Sequence, residues 1–232
     1  NLQDSISPAA RVSSGGNVAM DELGNAIILW THLDNTTACG GAACSRVYIA
    51  EYRNNTWKLP QGLNDYISPD GGAAFSAVIA MRNGRAVIAW EQGDGTTACG
   101  GIRCIQIYKS EYRNAQWRHP TGAADHISAA GMHANSAQIA LDKNGNSILL
   151  WSPYLTGTDC GGFTCTQLYM SEYRGQGWNT PTKINVATSA VNETASAGNV
   201  AMDDNGNAII IWSQTDGGPL GNGLADRRRQ LY

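Results

Sequence analysis

The sequence predicts an all-β protein assembled from repeated four-stranded antiparallel units. Three observations predict it. A tryptophan closes an apolar run at Trp30, Trp90, Trp151 and Trp212, at intervals of 60 or 61 residues, and a period of this length marks a repeated supersecondary unit. Gly-Asn and Asn-Gly pairs separate the apolar runs, and residues that tolerate positive φ suit hairpin turns. No segment carries the 3.6-residue apolar period of a helix. No linker or shift of composition interrupts the 232 residues. One body is therefore expected, with repeats at about 8–68, 69–128 and 129–189 and an incomplete one at 190–232.

Each unit reads as four strands. The first covers Asn17 to Asp21, Ala77 to Met81, Gln138 to Asp142 and Asn199 to Asp203. A tight turn follows, at Gly24-Asn25 in the first unit, and leads to Ala26–Trp30 and its equivalents. That second strand is apolar at consecutive positions, as expected where both faces are covered. The third strand alternates. In Ile105 to Arg113, Ile107, Lys109, Glu111 and Arg113 share one face, and Tyr108, Ser110 and Tyr112 the other. The fourth is short: Trp57 to Pro60, Trp117 to Pro120 and Trp178 to Pro181. Proline removes a ladder donor, so this strand belongs at an edge. Two inner strands covered on both faces, an alternating strand and a proline-bearing edge strand describe one blade of a β-propeller.

The fourth unit stops at Gln230-Leu231-Tyr232, which matches Gln167-Leu168-Tyr169, and Asn1–Ser7 matches the segment that follows a fourth strand elsewhere. Three full repeats and a partial fourth are expected. They belong either to a longer propeller of six to eight blades or to a piece completed by another chain. The start at Asn1 without a methionine reads as a mature or excised piece.

The pattern V-A-M-D-x-x-G-N-A-I-I-x-W, followed by Y-x-S-E-Y-R-x-x-x-W-x-x-P, resembles bacterial extracellular β-propeller repeats and is similar to sialidase-like propellers. It spans nearly the whole chain. The sialidase Asp box, S-x-D-x-G-x-x-W, is unmatched, and nothing corresponds to a sialidase catalytic set. The resemblance implies the architecture and an exported setting, without an enzyme.

A net charge of −3 gives no basic footprint for nucleic acid. The run Arg227-Arg228-Arg229 reads as a solvated loop. No apolar segment approaches the ~20 residues of a membrane-spanning helix. Six cysteines form three C-x4-C pairs, Cys39/Cys44, Cys99/Cys104 and Cys160/Cys165. Metal ligation would need two pairs to converge, or a recurring histidine that is absent. Three local disulfides are expected, and with them an oxidising compartment: secreted or cell surface, with the periplasm also fitting.

The cysteine loops join second strands to third strands. Binding candidates on them are Asp34, Thr37 and Arg46; Asp94, Thr97 and Arg103; and Thr158 and Asp159, with Asp70 and His133 on the same face. Glu51/Arg53, Glu111/Arg113 and Glu172/Arg174 lie two residues apart on one strand face, which favours structural ion pairs beside Trp57, Trp117 and Trp178. The alternative is a sugar site in each blade. The D-x-x-G-N turns lack the ligand spacing of a calcium loop, and His119, His126 and His133 recur in no other blade. No cofactor, metal or catalytic set is expected. Carboxylates repeated at equivalent positions argue against catalysis. The leading expectation is a non-catalytic surface module for adhesion and assembly, presenting stapled loops to a protein or glycan, or to copies of itself. A multivalent lectin is the first alternative, and a non-catalytic part of a larger propeller enzyme the second.

Overall fold

The computed structural model describes residues 5–8, 12–34, 39, 43–97, 99, 104–155, 165–184, 194–215 and 229–231. Among them there is no helix, and every strand pairing is antiparallel. The first sheet runs in order through β1 (Ser13–Met20), β2 (Ala26–Leu33), β3 (Ser45–Arg53) and β4 (Thr56–Lys58). The second repeats it with β5 (Ala74–Arg82), β6 (Arg85–Gly93), β7 (Ile105–Arg113) and β8 (Gln116–Arg118). In the third, β9 (His133–Leu141) pairs with β10 (Ser147–Leu155). The next strand is split into β11 (Cys165–Thr166) and β12 (Tyr169–Tyr173), both on β10, and β13 (Thr182–Lys183) pairs with β12. The fourth sheet holds β14 (Ala195–Met202), β15 (Ala208–Thr215) and β16 (Arg229–Leu231).

In the first, third and fourth sheets the turn after the innermost strand is built by one aspartate. Asp21 Oδ1 accepts the Leu23 and Asn25 backbone N–H groups at 3.0 and 2.9 Å, and its Oδ2 accepts the Asn25 side-chain amide at 2.9 Å. Asp142 with Asn146 and Asp203 with Asn207 repeat the arrangement. Gly24, Gly145 and Gly206 sit at φ +79°, +91° and +85°, a region closed to most side chains. The D-x-x-G-N motif is thus a hairpin device, its carboxylate taken up by donors of its own loop and, at Asp21, also by the Gly84 N–H of the next blade at 2.7 Å.

The innermost strands are longer than their sequence pattern. Each carries a register shift, between Ser14 and Gly16, Phe75 and Val78, Asn135 and Gln138, and Ala197 and Asn199. The added residue breaks the alternation, so only the part after the bulge reads as a strand. The burial expected of both inner strands holds, at nearly every position, for β2, β6 and β10 only. β1 is exposed along nearly its whole length, and β5 and β9 are half-covered.

The sheets stack face on face. Ile27, Leu29 and Val47 pack on Ile88, Trp90 and Tyr108 of the next sheet. Ala89 and Ile107 pack on Leu149 and Trp151. Ile148, Leu150 and Leu168 pack on Val200, Ile210 and Trp212. The innermost strands touch in sequence, β1 to β5, β5 to β9 and β9 to β14. Stacked four-stranded antiparallel sheets with adjacent inner strands are the blades of a β-propeller.

Candidate functional site

On the cysteine-loop face, Cys39–Cys44 and Cys99–Cys104 are disulfides, each with Cα atoms 5.2 Å apart. Cys160 lies outside the described residues, as do the predicted candidates Thr37, Arg103, Thr158 and Asp159. Asp34 and Arg46 are fully buried rather than presented to solvent. Arg46 Nε donates to Asp34 Oδ2 at 2.8 Å, Nη1 to the Pro69 carbonyl at 2.8 Å and Nη2 to Asp70 Oδ1 at 3.0 Å. Cys44 N–H donates to Asp34 Oδ1 at 2.9 Å, so this cluster ties the disulfide loop to the interblade connection. Asp94 does a lighter version of the same work, accepting from the Thr96 N–H and hydroxyl at 2.8 Å each. Thr97 is exposed.

The Glu-Tyr-Arg segments join neighbouring blades. Arg53 Nε donates to Glu51 Oε2 at 3.2 Å, Arg113 Nε to Glu111 Oε2 at 2.6 Å, and Arg174 Nη2 to Glu172 Oε1 at 3.1 Å. Each arginine also donates to a glycine carbonyl in the inner hairpin of the next blade: Gly84, Gly145 and Gly206. Arg53 and Arg113 lie 3.8 Å above the rings of Tyr112 and Tyr173. Two-residue spacing on a strand delivers both charges to one face, and the stack supplies the partner ring.

Between the outer strands of adjacent blades lie two equivalent grooves, of about 400 Å³ and about 340 Å³. The first is bounded by Ile49, Glu51, Lys58 and Tyr66 of one blade and by Trp117 and His119 of the next. The Trp117 and His119 rings stack at 5.2 Å with planes 17° apart. The second is bounded by Lys109, Glu111 and Arg118 and by Trp178 of the following blade. Their polar groups are used differently. Trp178 Nε1 donates to Glu111 Oε1 at 2.7 Å, and Lys109 pairs with the same carboxyl and lies 5.3 Å above the Trp178 ring. Burial alone would raise the Glu111 carboxyl, but Lys109, Arg113 and Trp178 hold it below its ordinary value. In the first groove Ile49 replaces Lys109, and the buried Nε1 of Trp117 has no hydrogen-bond partner among the described residues. A buried N–H without an acceptor costs on the order of 1–3 kcal/mol, a cost that Glu111 removes at Trp178 in the second groove.

A further group was not singled out by the sequence. Glu91 follows Trp90 where the other repeats have Thr31, Ser152 and Ser213. It is 6% exposed. Its Oε1 accepts the Ser136 N–H of the next blade at 2.8 Å, and the Ser76 hydroxyl bonds it as well. Ser152 Oγ makes the equivalent bond to Ala197 N–H at 2.7 Å. Ser76 and Ser136 sit in the bulges at φ +51° and +57°. Burial pushes the Glu91 carboxyl up, and the two serine bonds offset only part of the rise. Aligning the residue after each tryptophan would have revealed it. Among the described residues no group of three His, Cys, Asp or Glu side chains is placed to hold a metal ion.

No family model matches the chain, and no curated protein matches it. Solved structures do. A polysaccharide lyase of family PL25, an ulvan lyase bound to -[GlcA(1-4)Rha3S]-, is similar with a TM-score of 0.54 and 12% identity over 87% of this chain and 52% of that one. Polysaccharide lyase Uly1 is similar with a TM-score of 0.52 and 9% identity over 93% and 48%. A protein of unknown function from Dyadobacter fermentans is similar with a TM-score of 0.52 and 13% identity over 88% and 62%. At these identities the likeness shows the fold. The chain spans about half the length of the two lyases. The expectation that the chain is no enzyme is corrected here, because its fold is shared with polysaccharide lyases. The physical reason given for it was also incomplete: the repeated carboxylates are paired with arginines, whereas Glu91 is a buried carboxyl that breaks the repeat.

Proposed function

We propose that this chain is part of an exported β-propeller that binds polysaccharide, with a saccharide site in the groove between its first and second blades. The observation that carries the reading is the stacked Trp117–His119 aromatic surface in a groove also lined by Lys58 and Glu51. Aromatic faces cover the C–H surfaces of sugar rings, while the flanking charges meet hydroxyl and carboxylate groups. The fold shared with polysaccharide lyases supports the same class of ligand, and the two disulfides support an oxidising compartment.

The test is a titration with neutral, uronate-containing and sulfated polysaccharides, followed by intrinsic fluorescence and calorimetry. Trp117→Ala removes the stacked ring and should weaken binding by about 2- to 10-fold, the worth of one aromatic contact, while Trp117→Phe keeps most of it. Binding that is indifferent to Trp117→Ala would remove the groove from the reading. Cleavage of the bound polysaccharide is a second reading, favoured by the fold shared with polysaccharide lyases, and it predicts release of new chain ends on incubation with the polysaccharide.

A further inference from the structure

The two grooves between outer strands are built to one plan. Each takes a cation from the fourth strand of one blade and an indole from the next blade. The first sets Lys58 with Trp117, and the second sets Arg118 with Trp178. Lys58 and Arg118 hold the same repeat position, directly after Trp57 and Trp117. Both are exposed, and neither side chain makes an ion pair or hydrogen bond among the described residues. The charges around them are already matched. Arg53 pairs with Glu51, and Lys109 and Arg113 pair with Glu111. Asp65 and Asp125 accept the backbone N–H groups of Gln61 and Thr121. In the third blade the cation position holds Asn179, whose Oδ1 turns back to accept from Ser171 Oγ and the Glu172 N–H.

His119 connects the two grooves, because it lines both. Its ring stacks on Trp117, and its Nδ1 is held by Ser110 Oγ at 2.9 Å. Leu59 and Thr180 stand at its position in the neighbouring repeats, so the link is particular to the second blade. We infer that the two grooves are subsites for acid groups of one polysaccharide chain, Lys58 meeting one carboxylate or sulfate and Arg118 another one blade further on. This rests on the saccharide reading of the first groove, and adds to it a second subsite and an anionic ligand. The Arg118 guanidinium is a fork that suits two oxygens of one acid group, whereas the Lys58 ammonium acts as a point charge. Two modest contacts on one ligand reinforce each other, since the second forms at the effective concentration set by the first.

The experiment is a calorimetric titration at low salt with dextran, dextran sulfate and polygalacturonate. An acidic polymer should bind more tightly than dextran, and the one that does so identifies sulfate or carboxylate as the group recognised. Lys58→Asn and Arg118→Asn each install the residue that the third blade carries at Asn179. Each should weaken that polymer by about 2- to 5-fold, the worth of one exposed ion pair, with the loss fading as salt rises. Dextran should be unaffected. The disaccharide of the acidic polymer fills one groove at a time and should bind at least about tenfold more weakly than the polymer. Dextran binding as tightly as both acidic polymers overturns the inference and leaves the saccharide reading standing. So does a polymer affinity that either substitution leaves unchanged, or a disaccharide that matches its polymer. Absence of binding by all three polymers removes the inference and the saccharide reading together.

Discussion

At Glu91 a carboxyl occupies the position that Thr31, Ser152 and Ser213 fill with hydroxyls, and this change adds a pH-dependent contribution to stability. Burial raises the folded-state pKa above its ordinary value. The native state then holds the proton more tightly than the unfolded chain does. The contribution is fully present below the unfolded pKa and is lost as pH rises through the folded one. Glu91→Gln keeps an acceptor for Ser136 N–H without the charge. Its melting temperature should match the wild type in acid and exceed it increasingly toward neutral pH, by calorimetry. A difference that is constant with pH would show that Glu91 does not titrate in this range. Residues that work within one strand were legible in the sequence: Glu51 and Arg53 sit two apart, and alternation puts them together. The first groove was not. Ile49 and Trp117 belong to different blades, and no local pattern announces that the ring of one will flank the other. Asp34 and Arg46 misled for a related reason, since polar residues near a turn read as exposed until the loop is seen to fold over them.

At the level of single elements, the hairpins joining third to fourth strands make a clean comparison. Asn54-Asn55 has φ of 51° and 60°, and Asn114-Ala115 has 52° and 59°. Two consecutive left-handed residues define a type I′ turn. Asparagine tolerates that region, whereas alanine pays about 1 kcal/mol or more for it. Ala115→Gly should therefore stabilise the protein by about 1 kcal/mol, less the extra entropy glycine carries when unfolded. Denaturant titration checks this, and a loss of stability would mean that the Ala115 methyl makes a contact worth more than the strain. The cysteine loops supply a second case. Cys39→Ser with Cys44→Ser should cost about 2 kcal/mol by the loop-entropy relation. Asp34 would remain paired with Arg46, so the loop base should keep its place. The turns were legible because glycine and asparagine mark them. The starts of the innermost strands were not, because a bulge shifts the register and its signature is a serine or glycine without any pattern around it.

Across the whole molecule, the 60-residue period foretold blades, and the stacked sheets follow from it because no blade can bury both faces alone. Nearest-neighbour packing of this kind makes stability a sum of blade and interface contributions, and the cost of a substitution should track whether its interface is occupied. Ile148 and Ile209 are the same position in successive repeats, 2% and 73% exposed. Ile148→Ala should destabilise by about 2–5 kcal/mol, the usual range for emptying a filled apolar site. Ile209→Ala should cost well under about 1 kcal/mol in dilute solution, since little of its side chain leaves water in the single chain. Denaturant unfolding curves for the two variants measure both values. Equal costs would mean that the two positions are packed alike, against the difference in their burial.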